Sequence, residues 1–186
     1  MDRPKNYYRD TYHHIYNRGA NRDRIFFDDK DYEYFVKRMA HYMEKYRIAL
    51  VCYCLMPNHF HLFVRQQSEG STVGKFVGDL TNSYTKATNK RYQRSGVLFE
   101  GPTKAKPVED PGHFAWLIKY ILMNPVKAKL VRKPQEWKYS SAREYFDRQN
   151  GSLIDKEIIL SQFGSSSEFQ LFIEEPDDHF DYNVFF

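Results

Sequence analysis

Two histidines one residue apart, His59 and His61, are the side chains whose type and spacing point most directly to chemistry. On a β-strand alternate residues share a face, so both imidazoles stand on one side while Phe60, Leu62 and Val64 point to the other. Two imidazoles on one side of a strand can hold a single metal ion. The structural alternative is a pair of surface or core histidines, and an H-x-H arises readily by chance in a chain with seven histidines. Context sharpens the motif: the apolar run IALVCYCLM (48–56) and a Pro57-Asn58 turn lead straight into it, which reads as a hairpin.

A second set lies in the segment that opens at Asp110-Pro111, an N-cap residue followed by proline at the first helical position. On a helical wheel Phe114, Leu117, Ile118, Ile121 and Leu122 form one apolar arc. Tyr120 lies roughly 130° from the centre of that arc, with Asn124 one turn further on the same side. A tyrosine off the core face is placed for access. Pro125 predicts that this helix ends near Asn124, because the residue before proline is biased away from helical angles.

The elements that must position these groups follow from periodicity. TYHHIYNR (11–18) alternates as a strand and leads into the polar turn NRGANRDR (17–24). Apolar residues recur at helical spacing from Asp29 to Tyr46 behind capping aspartates, and again over 72–92. HFHLFVR (59–65) is the return strand, and KAKPV (104–108) is an edge strand, since Pro107 lacks a ladder donor. WKYSSAREYF (137–146) reads as a short last helix. The order β-α-β-β-α-β-α predicts an α+β domain, a ferredoxin-like or RRM-like antiparallel sheet with helices packed on one face. Two domains of composition emerge: a body over 1–146, and an acidic extension over 147–186 holding two short amphipathic segments.

Charge divides the same way. Residues 147–186 hold nine acids (Asp147, Asp155, Glu157, Glu168, Glu174, Glu175, Asp177, Asp178, Asp181) against Arg148 and Lys156, a balance of −7. With +4 for all 186 residues, the body carries +11. The chain also has 15 Tyr, 15 Phe and 2 Trp. A basic, aromatic-rich body suits single-stranded nucleic acid, where cations meet phosphates and rings stack on bases; the alternative is an ordinary basic surface over an aromatic core. No stretch nears the ~20 apolar residues of a membrane span and the N-terminus lacks a signal-peptide core, so a cytoplasmic protein with no membrane partner is expected. Cys52 and Cys54 alternate within one strand and read as buried core thiols.

Taken together, NRG, CLMPNHFHLFV, the LFEG loop and YILMNPVKAKLV, between Tyr12 and Phe146, resemble the single-tyrosine HUH transposases of insertion sequences and their REP-associated tyrosine transposase relatives. The resemblance implies a divalent metal, Mg²⁺ or Mn²⁺, held by His59, His61 and Asn124, with Tyr120 as nucleophile. Many members of that family use glutamine as the third ligand; Asn124 matches the shorter pattern of the REP-associated branch. It further implies cleavage and rejoining of single-stranded DNA at hairpin-bearing ends through a 5′-phosphotyrosine link, by a homodimer or a single copy. Arg18, Arg22 and Arg24 in the first turn, Lys86, Lys90 and Arg91 on the second long helix, and Lys104 and Lys106 on the edge strand are candidate DNA contacts, or solvated surface charges. His13 and His14 face opposite ways, so at most one reaches the metal face. Two rivals stand beside this reading: a non-catalytic single-stranded nucleic-acid-binding module, and a metallohydrolase built on His59 and His61 with His13 or His14. The acidic extension is expected either to pack on the domain or to cover the DNA groove in competition with phosphates.

Overall fold

The computed structural model describes residues 8–70, 72–146, 153–176 and 180–186. The first strand, β1 (Tyr12–Arg18), is followed by α1 (Asp29–Tyr46), the hairpin β2 (Ile48–Met56) and β3 (His59–Gln66), α2 (Thr72–Arg91) and β4 (Lys104–Pro107). The sheet runs in the order β2-β3-β1-β4 with every neighbouring pair antiparallel. This is the split β-α-β arrangement expected from the element order. The first helix starts where Asp28 and Asp31 close a reciprocal capping box. It stops at Arg47, which adopts left-handed angles with φ 54°.

The sheet's two faces have different partners. Phe60 meets Phe35 of α1 with ring centroids 5.3 Å apart, and Tyr84 of α2 stands 5.0 Å from Phe35, so α1 and α2 share one face. The third long helix, α3 (Phe114–Lys127), packs on the other: Phe114 lies 5.2 Å from Phe63, and Tyr120 lies 5.4 Å from His61. The expectation of helices on one face therefore holds for α1 and α2 and not for α3. Periodicity shows that a helix has an apolar stripe; it does not say which face of a sheet receives it.

The helix also runs past its expected end. Pro125 sits inside α3 and is buried, and the helix continues to Lys127. Proline forfeits one hydrogen bond to the preceding turn, a loss tolerated here because the Asn124 amide adds a side-chain bond to the Tyr120 carbonyl (2.8 Å) and the Pro125 carbonyl accepts from Leu130 N (2.9 Å).

The extension is built into the core. After α4 (Ala142–Phe146), α5 (Glu157–Leu160) and α6 (Ser166–Glu174) bury Ile159, Phe169 and Ile173, and Phe169 packs 5.1 Å from Tyr145. The exposed acids therefore ride on segments whose apolar side chains complete the domain. Of the extension's acids, Asp147, Asp177 and Asp178 lie outside the described residues. No helix among the described residues is long and apolar enough to cross a membrane.

Candidate active site

Register brings the histidines to the middle of the sheet. His59 pairs with Arg18 and His61 with Tyr16 across β1, and Tyr16 pairs with Lys104 across the other edge. These residues share the face that α3 covers. They line a cleft of about 550 Å³ together with Arg22, Asn58, Glu100, Tyr120 and Phe186. Gly19 shapes its rim: a Cβ there would run into the Asp23 carbonyl, so only glycine lets the 19–25 loop fold back. The Gly19 N–H then donates to the Asn58 carbonyl at 2.8 Å, tying this loop to the turn before His59.

The hydrogen bonds fix how each ligand candidate presents itself. Asn58 Nδ2 donates to the Arg22 carbonyl (3.2 Å), which turns Asn58 Oδ1 toward His59 Nδ1 at 2.7 Å. On the far side of the same ring, Nε2 faces Asn124 Oδ1 at 3.3 Å. Asn124 cannot readily swing away, because its Nδ2 donates to the Tyr120 carbonyl at 2.8 Å. Burial holds His59 below the ordinary histidine range, with Asn124 opposing and Arg18 adding to the shift. A neutral ring has one N–H for these two oxygens. With that proton on Nδ1, an imidazole lone pair and an amide oxygen face each other, an arrangement a shared cation stabilises. Their separation is close to the ~3 Å expected between adjacent ligands of an octahedral ion with bonds of about 2.1 Å. His59 and Asn124 thus present a nitrogen and an oxygen at a spacing that fits one divalent cation, with His61 on the same face of the sheet.

His61 is buried, and burial with His14 and His59 nearby pushes its imidazole well below the usual range. Tyr120 and His61 pack with their rings perpendicular, at an interplanar angle of 90°. Burial raises the Tyr120 hydroxyl above the ordinary tyrosine value, while a hydrogen bond with Asn124 pulls it down. Tyr120 is half-buried rather than open, because Phe186 and Tyr182 lie against it at 5.2 Å and 5.5 Å.

The basic candidates separate into groups. Arg18, Arg22 and Lys104 line the cleft. Arg18 is already paired with Glu100, whose carboxyl it holds below the usual range. Lys106 pairs with His14 on the same face, further along the edge. Arg24, Lys86 and Lys90 are exposed and do not line the cleft. Arg91 turns back onto the start of α1, bonding Asp28 at 2.7 Å and Asp31 at 2.6 Å, a structural tie rather than a free cation.

Of the first-strand histidines, His14 reaches the site face and His13 lies under the opposite one. His14 Nε2 lies 2.9 Å from His61 Nδ1, so it serves as a partner of that histidine. Among the described residues no three His, Cys, Asp or Glu side chains gather as a metal site, which leaves the three-histidine hydrolase without its ligand set. The roles of His14, Asn58 and Phe186 were not visible from residue type. His14 and Asn58 act through register and through hydrogen bonds, and Phe186 arrives from the far end of the chain.

With this geometry in view, comparison with known proteins is direct. The family model described as IS200-like transposase matches residues 7–124, a span that contains His59, His61, Tyr120 and Asn124. The fold is similar to a REP-associated tyrosine transposase solved with a REP hairpin: TM-score 0.64 and 16% identity, over 83% of this chain and 94% of that one. A protein of Deinococcus radiodurans R1 assigned as a transposase is also similar, with TM-score 0.45 and 16% identity over 65% of this chain and 95% of that one. No curated protein matches by sequence.

Proposed function

The chain belongs to the family of IS200-like transposases, enzymes that act on DNA, and from that premise and the cleft's geometry we propose that it cuts and rejoins single-stranded DNA at hairpin-bearing ends through Tyr120. The observation that carries the proposal is the meeting of His59 Nε2 and Asn124 Oδ1 at 3.3 Å, one turn from Tyr120, whose ring lies 5.4 Å from that of His61. Tyr120 lies beside the histidines of its own chain, which supports a tyrosine that serves its own histidine pair.

In this reading His59, His61 and Asn124 hold Mg²⁺ or Mn²⁺. Three neutral ligands would leave such a cation its full charge, and the chemistry it would supply is electrostatic stabilisation of a scissile phosphate. Arg22 and Lys104 attract the strand, and Tyr16, beside His61, offers a ring on which a base can stack. The Tyr120 oxygen attacks phosphorus; the bond from phosphorus to the 3′ oxygen breaks, and the phenolic proton ends on that oxygen. The products are a 5′-phosphotyrosine and a free 3′-hydroxyl. Because the phosphodiester energy is retained in the tyrosine link, an incoming 3′-hydroxyl reverses the step and joins strands without a nucleotide cofactor. A hairpin substrate is extended to this chain from the similar structure bound to a REP hairpin.

The test is covalent trapping with end-labelled single strands from hairpins flanking the gene, with Mn²⁺ or Mg²⁺, on denaturing gels. A metal-dependent shifted band that disappears in Tyr120→Phe is expected. Binding without an adduct returns the chain to a nucleic-acid-binding module. Cleavage that persists in Tyr120→Phe makes it a hydrolase.

A further inference from the structure

His14 has no part in the reaction as proposed, yet it is wholly buried in the centre of the site face and bonded at both ring nitrogens. Its Nδ1 lies 3.2 Å from the main-chain carbonyl of Phe185, and its Nε2 lies 2.9 Å from His61 Nδ1. The two rings stack at 5.2 Å with an interplanar angle of 20°. A carbonyl oxygen can only accept, so His14 carries its proton on Nδ1. Wholly buried, and with no carboxylate of the described residues bonded to either ring nitrogen, the ring is neutral, so His14 Nε2 is a lone pair. The proton between the two histidines therefore belongs to His61 Nδ1. A neutral His61 with a proton on Nδ1 has an unprotonated Nε2.

We infer that His14 is a positioning residue: anchored by the Phe185 carbonyl, it fixes the tautomer and ring plane of His61, so that His61 offers its Nε2 lone pair as a ligand. The inference rests on His61 being a metal ligand for its purpose, and on the hydrogen bonds alone for the tautomer. It mirrors the other arm, where the Arg22 carbonyl turns Asn58 so that His59 is protonated on Nδ1. Each imidazole is thus oriented from a main-chain oxygen through one intermediate side chain. Outer partners of this kind govern ligand basicity and orientation, and their loss costs about 10–100-fold in metal affinity.

Two measurements test it on the full chain. First, long-range proton–nitrogen NMR spectra of the metal-free, histidine-labelled protein, assigned with His14→Leu and His61→Gln, report the tautomer of His61. The expected form has the proton on Nδ1; a wild-type His61 protonated on Nε2 overturns the inference. Second, Mn²⁺ affinity is measured by electron paramagnetic resonance in His14→Leu and His14→Gln. Glutamine can accept from His61 and donate to the Phe185 carbonyl, so His14→Gln keeps the Nδ1–H form and near-wild-type affinity, whereas His14→Leu loses both, with affinity down about 10–100-fold. Unchanged tautomer and affinity in a folded His14→Leu overturn the inference. A wild type with the expected tautomer that binds no Mn²⁺ supports the positioning geometry and instead removes the metal from the proposed function.

Discussion

Phe186 lies in the cleft that DNA would have to enter, and its removal has a calculable consequence. Its ring stands 5.2 Å from Tyr120, 5.3 Å from Tyr16 and 6.4 Å from His61, and the residue is 41% exposed. Complete burial of a phenylalanine is worth about 1.5–3 kcal/mol, so hiding a little under three-fifths of it contributes about 1–2 kcal/mol to keeping the cleft covered. A strand that must displace the ring pays that amount. At 1.4 kcal/mol per decade, Phe186→Ala should tighten single-strand binding by about 5- to 25-fold, measured by fluorescence anisotropy with a labelled oligonucleotide. Salt separates this mechanism from competition by the extension's acids. Phosphate binding weakens with salt for both proteins, but ring burial is insensitive to it, so the ratio of affinities stays constant as salt rises. A ratio that falls toward one at high salt would assign the competition to charge. Unchanged affinity at every salt refutes the covering role, and weaker binding would mean that the ring stacks on a base.

Other expectations follow from the same contacts. Asn124→Ala removes the amide oxygen facing His59 and should weaken Mn²⁺ binding while leaving Tyr120 in the fold; equal Mn²⁺ affinity by calorimetry would take Asn124 out of the ligand set. Arg22→Ala should lower the salt slope of DNA binding by about one, whereas Arg91→Ala should leave that slope unchanged and lower the melting temperature, because Arg91 is tied to Asp28 and the buried Asp31. His13 is buried, and burial lowers it from 6.5 to about 4. Between those pH values the unfolded chain binds a proton that the folded chain refuses, so stability falls as pH drops from 6.5 to 4 and levels off below. His13 alone accounts for about 3 kcal/mol of that fall, and urea titrations of His13→Gln should show the slope reduced accordingly. An identical slope would place the proton elsewhere.

How much of this was legible from the sequence depends on the range of the interaction. The first two helices and the β2-β3 hairpin are written in local period and caps: Asp28 with Asp31, the stripe from Tyr32 to Met43, and the Pro57-Asn58 turn. The off-stripe position of Tyr120 and its pairing with Asn124 are also local, since one helical turn relates them. The partnership of His14 with His61 is not local. His14 sits directly opposite Phe63, so it meets His61 only as a diagonal neighbour, and register between β1 and β3 is set by long-range packing that residue types do not encode. Arg91 shows the same limit in reverse: a cation at a helix end reads as a phosphate contact until the fold brings two aspartates to it. Pro125 misled for a different reason. A residue-level bias against continuing a helix was outweighed by the burial of Pro125 and the Asn124 side-chain bond to the Tyr120 carbonyl.

The extension looked separable by charge, yet its buried side chains make it both part of the core and part of the site. Lys119, on the same helix as Tyr120, is buried with its Nζ donating to the Phe172 carbonyl at 2.5 Å, so α6 helps hold the helix that carries the tyrosine. Removing 147–186 would therefore strip Ile159, Phe169 and Ile173 from the core and test folding rather than DNA binding. A variant ending at Pro176 is more informative. It keeps α6 and deletes the Phe186 ring over the cleft and the Phe185 carbonyl that anchors His14, together with Tyr182 against Tyr120, Phe180 on Trp116 and the buried Phe185 side chain. Against Phe186→Ala, which removes only the ring, it should gain at least as much affinity for single strands, because Tyr182 and Asp181 leave with the ring, while losing Mn²⁺ affinity. If both variants bind Mn²⁺ as the wild type does, the anchor is dispensable, and His14 orients His61 without help from the end of the chain.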